Sequence, residues 1–283
     1  MSTIVGLSLP WPFEYGFMQR ALVVGLVVGA AAPLVGVYLV QRRLSLLGDG
    51  MGHVAFAGVG AGLLLGVAPV WSALVVAVLG ALVLERMRAR EHATGDLALA
   101  LIFYSGIAAG IVMASKGDAG SANTTSYLFG SILTVDTADV WTVVGLGVAI
   151  LATLGVFGRA LFASVLDEES ARVAGIPVGL CNSLLAVMTA VTVVAAMRAV
   201  GILLVAALMV LPVASARLLT RSFRATVMWS SVIGAISAVA GLTAARAWDL
   251  APGGTIVLTT ALVFVASATL SSARDQQAAR TEG

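Results

Sequence analysis

The chain has 283 residues, 60% of them hydrophobic and only 11% charged, with a mean hydropathy of +1.04 and a formal net charge of +2. Soluble domains carry about 25% charged residues, so a water-soluble globule is excluded and a polytopic membrane protein is indicated. The small net charge makes no argument for nucleic acid, and the single cysteine, Cys181, excludes both an intrachain disulfide and a thiolate-based zinc centre.

The first residues, MSTIVGLSLPWPFEYGFMQR, lack a basic n-region and a small-residue cleavage pattern, so they read as retained rather than as a signal peptide. Apolar runs of about 17–25 residues are taken as spans. The first is expected near 16–40, kinked at Pro33 and closed by Gln41-Arg42-Arg43. The second and third, near 50–66 and 69–84, are joined by a connection short enough to force an antiparallel hairpin. A charged loop from Glu85 to Asp96 leads to span four, 97–114, and then to a polar connection from Ser115 to Ser126. YLFGSILTV (127–135) is apolar but too short to cross, which predicts an interfacial or re-entrant helix.

Span five is expected at 138–157, followed by GRALFASVLDEESARVAGIPV (158–178), the longest stretch with charges of both signs. Within it the acids Asp167, Glu168 and Glu169 open, and Gly175-Ile176-Pro177 closes, a helix of about two turns. Spans six to nine are expected at 179–197, 200–216, 226–245 and 253–271, with a polar, frayed tail over 272–283. The expected architecture is therefore an all-α polytopic bundle of eight or nine spans forming one transmembrane domain. With the N-terminus outside, twelve basic residues fall on one side and Arg20, Lys116, Arg198 and Arg246 on the other. That bias places the C-terminus and the acidic helix in the cytoplasm. Trp11, Trp71, Trp141 and Trp248 fall at outer span ends, as interfacial anchors do, and Trp229 at the inner face.

One pair of side chains stands out from this apolar background. Asp49 and His53 are four residues apart, so on a helix they project from one face. A carboxylate and an imidazole both ligate Mn²⁺ or Zn²⁺, and ionisable groups at membrane depth are costly enough to imply function. The alternative is that Asp49 caps the following helix, with His53 lining its first turn. The only other histidine, His92, lies in the basic loop and reads as solvated. No G-x-x-x-x-G-K-[ST] loop, no H-E-x-x-H helix and no nucleophile–base constellation is present, which argues for a passage rather than a catalyst. Met113, Met188, Met197, Met209 and Cys181 sit in apolar runs and read as packing residues.

Several stretches together carry a resemblance: VGVYLVQRRLSLLGDGMGHVAFAGVGAGLLLG (35–66), GDLALALIFYSGIAAGIVMAS (95–115), YLFGSILTV (127–135), LDEESARVAGIPV (166–178) and VGILLVAALMVLPVASARLL (200–219). In this order they resemble the membrane permease of the ABC-3 family of manganese and zinc importers. The resemblance implies a homodimeric permease in the cytoplasmic membrane of a prokaryote. It further implies two cytoplasmic ATPase subunits, an extracytoplasmic metal-binding protein, and no permanently bound cofactor. Asp49 and His53 match the family's Asp-x-x-x-His pair in the translocation pathway, with Mn²⁺ or Zn²⁺ as cargo. Asp167, Glu168, Glu169, Ala171, Arg172, Ala174 and Gly175 match the segment that couples to the ATPase, the alternative being a solvated loop helix.

Two departures fall next to the pair. Gly50-Met51-Gly52 stands where the family has a small residue, an aliphatic and a serine, and Phe56-Ala57-Gly58 stands where it often has Leu-Pro-Gly. The added glycines predict a looser second helix, by about 1 kcal/mol each relative to alanine. Two ligands are fewer than the four to six a transition ion usually takes, so a second copy, carbonyls or water must complete the shell. Protonation of His53 would remove one ligand, so transport is expected to weaken as pH falls. Competing readings are a permease for a metal chelate and an ATPase-independent ion transporter in which the pair relays protons.

Overall fold

The computed structural model describes residues 11–89, 95–116, 126–131, 135–198 and 200–281, and these contain helices and turns with no strand among them. In chain order the helices are α1 (Gly16–Gln41), α2 (Leu47–Leu65), α3 (Pro69–Ala89), α4 (Gly95–Lys116), α5 (Thr137–Leu166), α6 (Glu168–Val173), α7 (Val178–Ala196), α8 (Ile202–Leu219), α9 (Phe223–Ala247) and α10 (Pro252–Thr281). A further helical turn covers 126–129. Helices dominate because a lipid-immersed backbone has no water to bond with and must satisfy its amides internally.

Among the described residues, seven helices are long and apolar enough to cross a membrane: α1, α3, α4, α5, α7, α9 and α10. Two of the expected spans fall short of that standard. Helix α2 has the length, at 19 residues, but Asp49, His53 and its glycines dilute its apolarity. Helix α8 is apolar, but its apolar stretch among the described residues, Leu204–Leu219, is shorter than a span.

The core is built around α2, whose residues 51–60 are all buried. Helices α3, α4, α7 and α8 pack against it, while α1 lies across α9, α8, α5 and α7. Small residues set these distances. A Cβ added at Gly60 would lie 2.7 Å from the Gly110 carbonyl oxygen of α4, and one at Gly58 would lie 2.5 Å from Ala73 Cα of α3. Such approach lets backbones touch where lipid supplies no hydrophobic drive between helices. Opposite these contacts, Leu79, Leu101, Ile111, Trp141 and Leu151 remain exposed on α3, α4 and α5. Trp11, Trp71, Trp229 and Trp248 are exposed too.

Several boundaries differ from expectation. Helix α3 runs on through Glu85, Arg86 and Arg88, because Glu85 pairs with Arg88 at 3.4 Å one turn on and basic residues favour a helix C-terminus. Helix α5 absorbs residues 158–166, which the mixed charge had suggested were connection. Helix α10 continues through Thr281, where a frayed tail was expected. Pro33 stays inside an unbroken α1. Beside the Gly29 carbonyl that Pro33 leaves without its helical donor, Ser231 of α9 donates to the Ala30 carbonyl at 2.9 Å. His92 and Arg90 lie outside the described residues, as does most of the connection after Lys116.

Candidate metal pathway and coupling segment

Helix α2 starts directly after α1. Arg43, at φ 60°, ends α1 with its N–H on Val40 O and the next N–H, Leu44, on Leu39 O, which is the paired bonding of a Schellman turn. Leu47 N–H then bonds Leu44 O at 2.9 Å, and α2 is under way. The residue before it, Leu46, makes no side-chain cap bond, so Asp49 is not the cap but part of the first turn. There its charge meets the positive end of the helix.

His53 follows one turn later on the same face, with Nε2 3.9 Å from Asp49 Oδ2. Two donors about 2.0–2.2 Å from a shared ion sit roughly 3–4 Å from each other, so the pair can chelate one ion without rebuilding the helix. His53 is buried, at 8% side-chain exposure, and its ring packs on Phe103 of α4 with centroids 4.0 Å apart. Asp49 keeps 33% of its side chain exposed, which leaves an open side for further ligands. Among the described residues no cluster of three or more His, Cys, Asp or Glu forms. Among the described residues, then, the pair is two donors that could form part of an ion site.

The glycines between the pair are packing positions. A Cβ at Gly50 would lie 2.8 Å from Leu99 Cδ1, and one at Gly52 would lie 3.1 Å from the Ile202 carbonyl oxygen. They let α4 and α8 close on the turn that carries Asp49 and His53, so the helix whose glycines predict looseness is enclosed by its neighbours.

The acidic segment folds as the six-residue α6. Asp167 caps it: Oδ1 accepts from Glu169 N–H at 3.0 Å and Ser170 N–H at 3.1 Å, and the Ser170 hydroxyl donates to Oδ2 at 2.6 Å. The Ser170 hydroxyl first, then the Ser170 and Glu169 amides, hold the Asp167 carboxyl below the ordinary aspartate range. Gly175, at φ 80°, stops the helix, with its N–H on Arg172 O and Ile176 N–H on Ala171 O.

Not all seven residues of this segment are available to a partner. Ala171 is buried at 3% exposure and anchors α6 to the bundle. Glu169, Arg172, Ala174 and Gly175 are exposed. Val173, which the charge pattern gave no reason to choose, is 91% exposed and is the apolar tip of the segment. Its signal was an apolar residue on a helix too short to bury two faces.

Glu168 points back into the molecule. Its Oε2 accepts from Arg42 Nη2 at 3.1 Å and its Oε1 from Arg172 Nη2 at 3.2 Å. Arg42 also donates to Ser164 O of α5 at 3.1 Å and to Asn182 Oδ1 of α7. Its side chain is 11% exposed, so a residue counted on sequence only as positive charge is an internal bracket. Beside it a cleft of about 620 Å³ is lined by Glu85, Arg86 and Arg88 of α3, Glu168 and Arg172 of α6, and Asn182 of α7.

At the other end of the bundle, Arg198 in the α7–α8 turn bonds Asp139 of α5 through Nε at 3.0 Å and through Nη2. Its Nη1 donates to Tyr127 Oη at 3.1 Å, and its guanidinium lies 5.3 Å from the Tyr127 ring centre. The apolar 127–135 segment is thus held by its first residue, and residues 132–134 lie outside the description.

The sequence profile of the ABC 3 transport family matches residues 14–271. The chain is 31% identical over 254 residues to the manganese import system permease protein ScaB of Streptococcus gordonii, covering 90% of this chain and 91% of that protein. It is 30% identical over 251 residues to the manganese transport system membrane protein MntC of Halalkalibacterium halodurans, covering 89% and 86%. The solved structure of PsaBC from Streptococcus pneumoniae in complex with Fab aligns with a TM-score of 0.81 at 33% identity, over 90% of this chain and 91% of that one. A bundle in which α2 is enclosed by α3, α4, α7 and α8, matched along nearly its whole length, belongs to the ABC 3 transport family.

Proposed function

We propose that this chain is the membrane permease of an ATP-driven importer whose cargo is a divalent transition ion, Mn²⁺ before Zn²⁺. The observation that carries the reading is the Asp49–His53 pair, two metal donors 3.9 Å apart on one face of the most enclosed helix. The manganese names of the full-length relatives favour Mn²⁺. A half-site with one open side suits a homodimer in which two copies face each other across the pathway, with carbonyls or water completing the shell. An incomplete shell also suits transport, since the ion must bind well enough to enter and weakly enough to leave.

In this reading the chain crosses the cytoplasmic membrane nine times, N-terminus outside. Helices α2 and α8, at 19 and 18 residues, are about 27–29 Å long, close to the hydrocarbon thickness of about 30 Å. Arg42, Arg86, Arg88, Arg159, Arg172 and Arg217 then face the cytoplasm. Two ATPase subunits dock there on Glu169, Arg172, Val173, Ala174 and Gly175, and a metal-binding protein delivers ions outside.

The test is uptake of radiolabelled Mn²⁺ by vesicles holding the chain with its co-encoded ATPase and binding protein, in wild type, Asp49→Ala and His53→Ala. Uptake is expected to fall at least about tenfold in either variant while the complex still assembles. Competition among Mn²⁺, Zn²⁺ and Fe²⁺ then ranks the cargo. Normal uptake in both variants overturns the ion site and makes a chelate permease the better account.

A further inference from the structure

The side chain of Arg42 is placed where α6, α5 and α7 converge, seven residues before Asp49. Its two terminal nitrogens reach three elements, Nη1 bonding Asn182 Oδ1 of α7 and Nη2 bonding Ser164 O of α5 and Glu168 of α6, while its backbone closes α1. A planar guanidinium fork can hold several fixed acceptors at once, which a lysine cannot do. Burial sharpens the geometry, because a guanidinium at 11% exposure has little water to fall back on.

From Arg42 the path to the ion pair is short, through one turn of backbone. Arg43 N–H to Val40 O, Leu44 N–H to Leu39 O, Leu47 N–H to Leu44 O and Gly50 N–H to Leu46 O are backbone bonds that tie the end of α1 to the start of α2. Arg43 takes a positive φ of 60° that glycine would adopt more easily. Strain of this kind persists only where the surrounding structure holds it in place. Asp49 comes seven residues after Arg42, inside the first turn that these bonds tie to α1.

The Glu168 end is adjustable where the rest is not. Glu168 is 46% exposed and is shared between Arg42 and Arg172, the latter 72% exposed on the surface a partner would cover. A partner that draws Arg172 away, or pushes α6 inward, changes the load on Arg42 without breaking any span. Ser164 and Asn182 keep the guanidinium in place meanwhile.

We propose that Arg42 is the positioning residue through which movement of α6 reaches Asp49 and His53, linking the ATPase state to the geometry of the ion half-site. The inference rests on the permease reading above. It predicts a defect of coupling rather than of assembly or ion affinity.

The experiment uses the complete complex in proteoliposomes, comparing Arg42→Ala and Glu168→Gln with wild type. It reads Mn²⁺ transported per ATP hydrolysed, ATP hydrolysis without Mn²⁺, and the Mn²⁺ concentration for half-maximal uptake. Arg42→Ala is expected to keep its unstimulated hydrolysis and its half-saturating Mn²⁺ concentration, while ions per ATP fall about tenfold. Glu168→Gln is expected to lower ions per ATP about threefold, and adding Arg42→Ala to it should give no more than Arg42→Ala alone. The proposal is overturned when ions per ATP stay at the wild-type value in both variants, or when uptake and hydrolysis fall in equal proportion. Should Arg42→Ala fail to assemble, Glu168→Gln decides alone. Asp49→Ala run in parallel separates the two readings: uptake lost there but coupling intact in the Arg42 and Glu168 variants removes only this inference, whereas uptake intact in Asp49→Ala removes the permease site itself.

Discussion

At each end of the bundle an arginine ties several elements together, and the two ties are built differently. At one end Arg198 meets a carboxylate as sheltered as itself, with side-chain exposures of 18% and 12% for Arg198 and Asp139, and both partners also serve neighbouring elements. Asp139 completes a capping box with Asp136 at the start of α5. At the other end Arg42 is sheltered at 11%, but its acid, Glu168, is 46% exposed and has a second cation in Arg172. A closed pair fixes a distance. An open, shared carboxylate leaves one member free to follow a partner, and it belongs to the helix proposed to meet the ATPase.

The strongest way to break this contrast is to remove each arginine and measure thermal unfolding in detergent. Arg198→Ala leaves Asp139 in a sheltered site without its counter-charge, so a loss of about 3 kcal/mol is expected. Arg42→Ala leaves Glu168 exposed and still paired to Arg172, so about 1 kcal/mol is expected, mainly from Asn182 and the Ser164 carbonyl. Equal losses, or the reverse order, would show that the Arg42 tie is as static as the Arg198 one.

A smaller effect is expected at the end of α6. A Cβ at Gly175 meets nothing within 4 Å, so its requirement for glycine comes only from the backbone at φ 80°. Gly175→Val should cost about 1–2 kcal/mol locally, while Gly175→Asn, which tolerates the left-handed region, should cost less. The check is transport per ATP in the complex, with Asn nearer wild type than Val. A valine variant indistinguishable from wild type would mean that the exit angle of α6 is not used.

Much of the bundle was legible because lipid imposes a single rule on length and apolarity. Runs of apolar residues gave α1, α4, α7 and α9 within a few positions, and Gly175-Ile176-Pro177 marked the end of α6. The ends of α3, α5 and α10 were not legible, since charge was read as connection where helix propensity and a Glu85–Arg88 pair extend the helix beyond the apolar core. In the candidate site, the four-residue spacing of Asp49 and His53 placed both on one face, as the 3.9 Å separation bears out. The role of Arg42 was hidden because its acceptors, Ser164, Glu168 and Asn182, lie more than a hundred residues downstream. Ala171 shows the converse: a motif position on an exposed segment that packing turns inward.

The smallest effect concerns the other end of α6, where pH offers a probe of the cap. Asp167 has its carboxyl held below the ordinary range by the Ser170 hydroxyl and the amides of Ser170 and Glu169. A depressed folded-state value means that the cap stabilises α6 at every pH above the unfolded value and is lost only as pH falls through the lower, folded one. Across about pH 5.5 to 8, then, the cap is constant, and Asp167→Asn should shift the level of uptake slightly without changing its pH profile. Any acid loss of transport in that window belongs to another group, with His53 the first to examine because its protonation removes a metal donor. The decisive comparison is the pH profile of Mn²⁺ uptake in wild type and Asp167→Asn, normalised to each maximum. Superimposable curves leave α6 insensitive to acid, and a flattened curve in Asp167→Asn would place the acid response in α6 instead of in the Asp49–His53 pair.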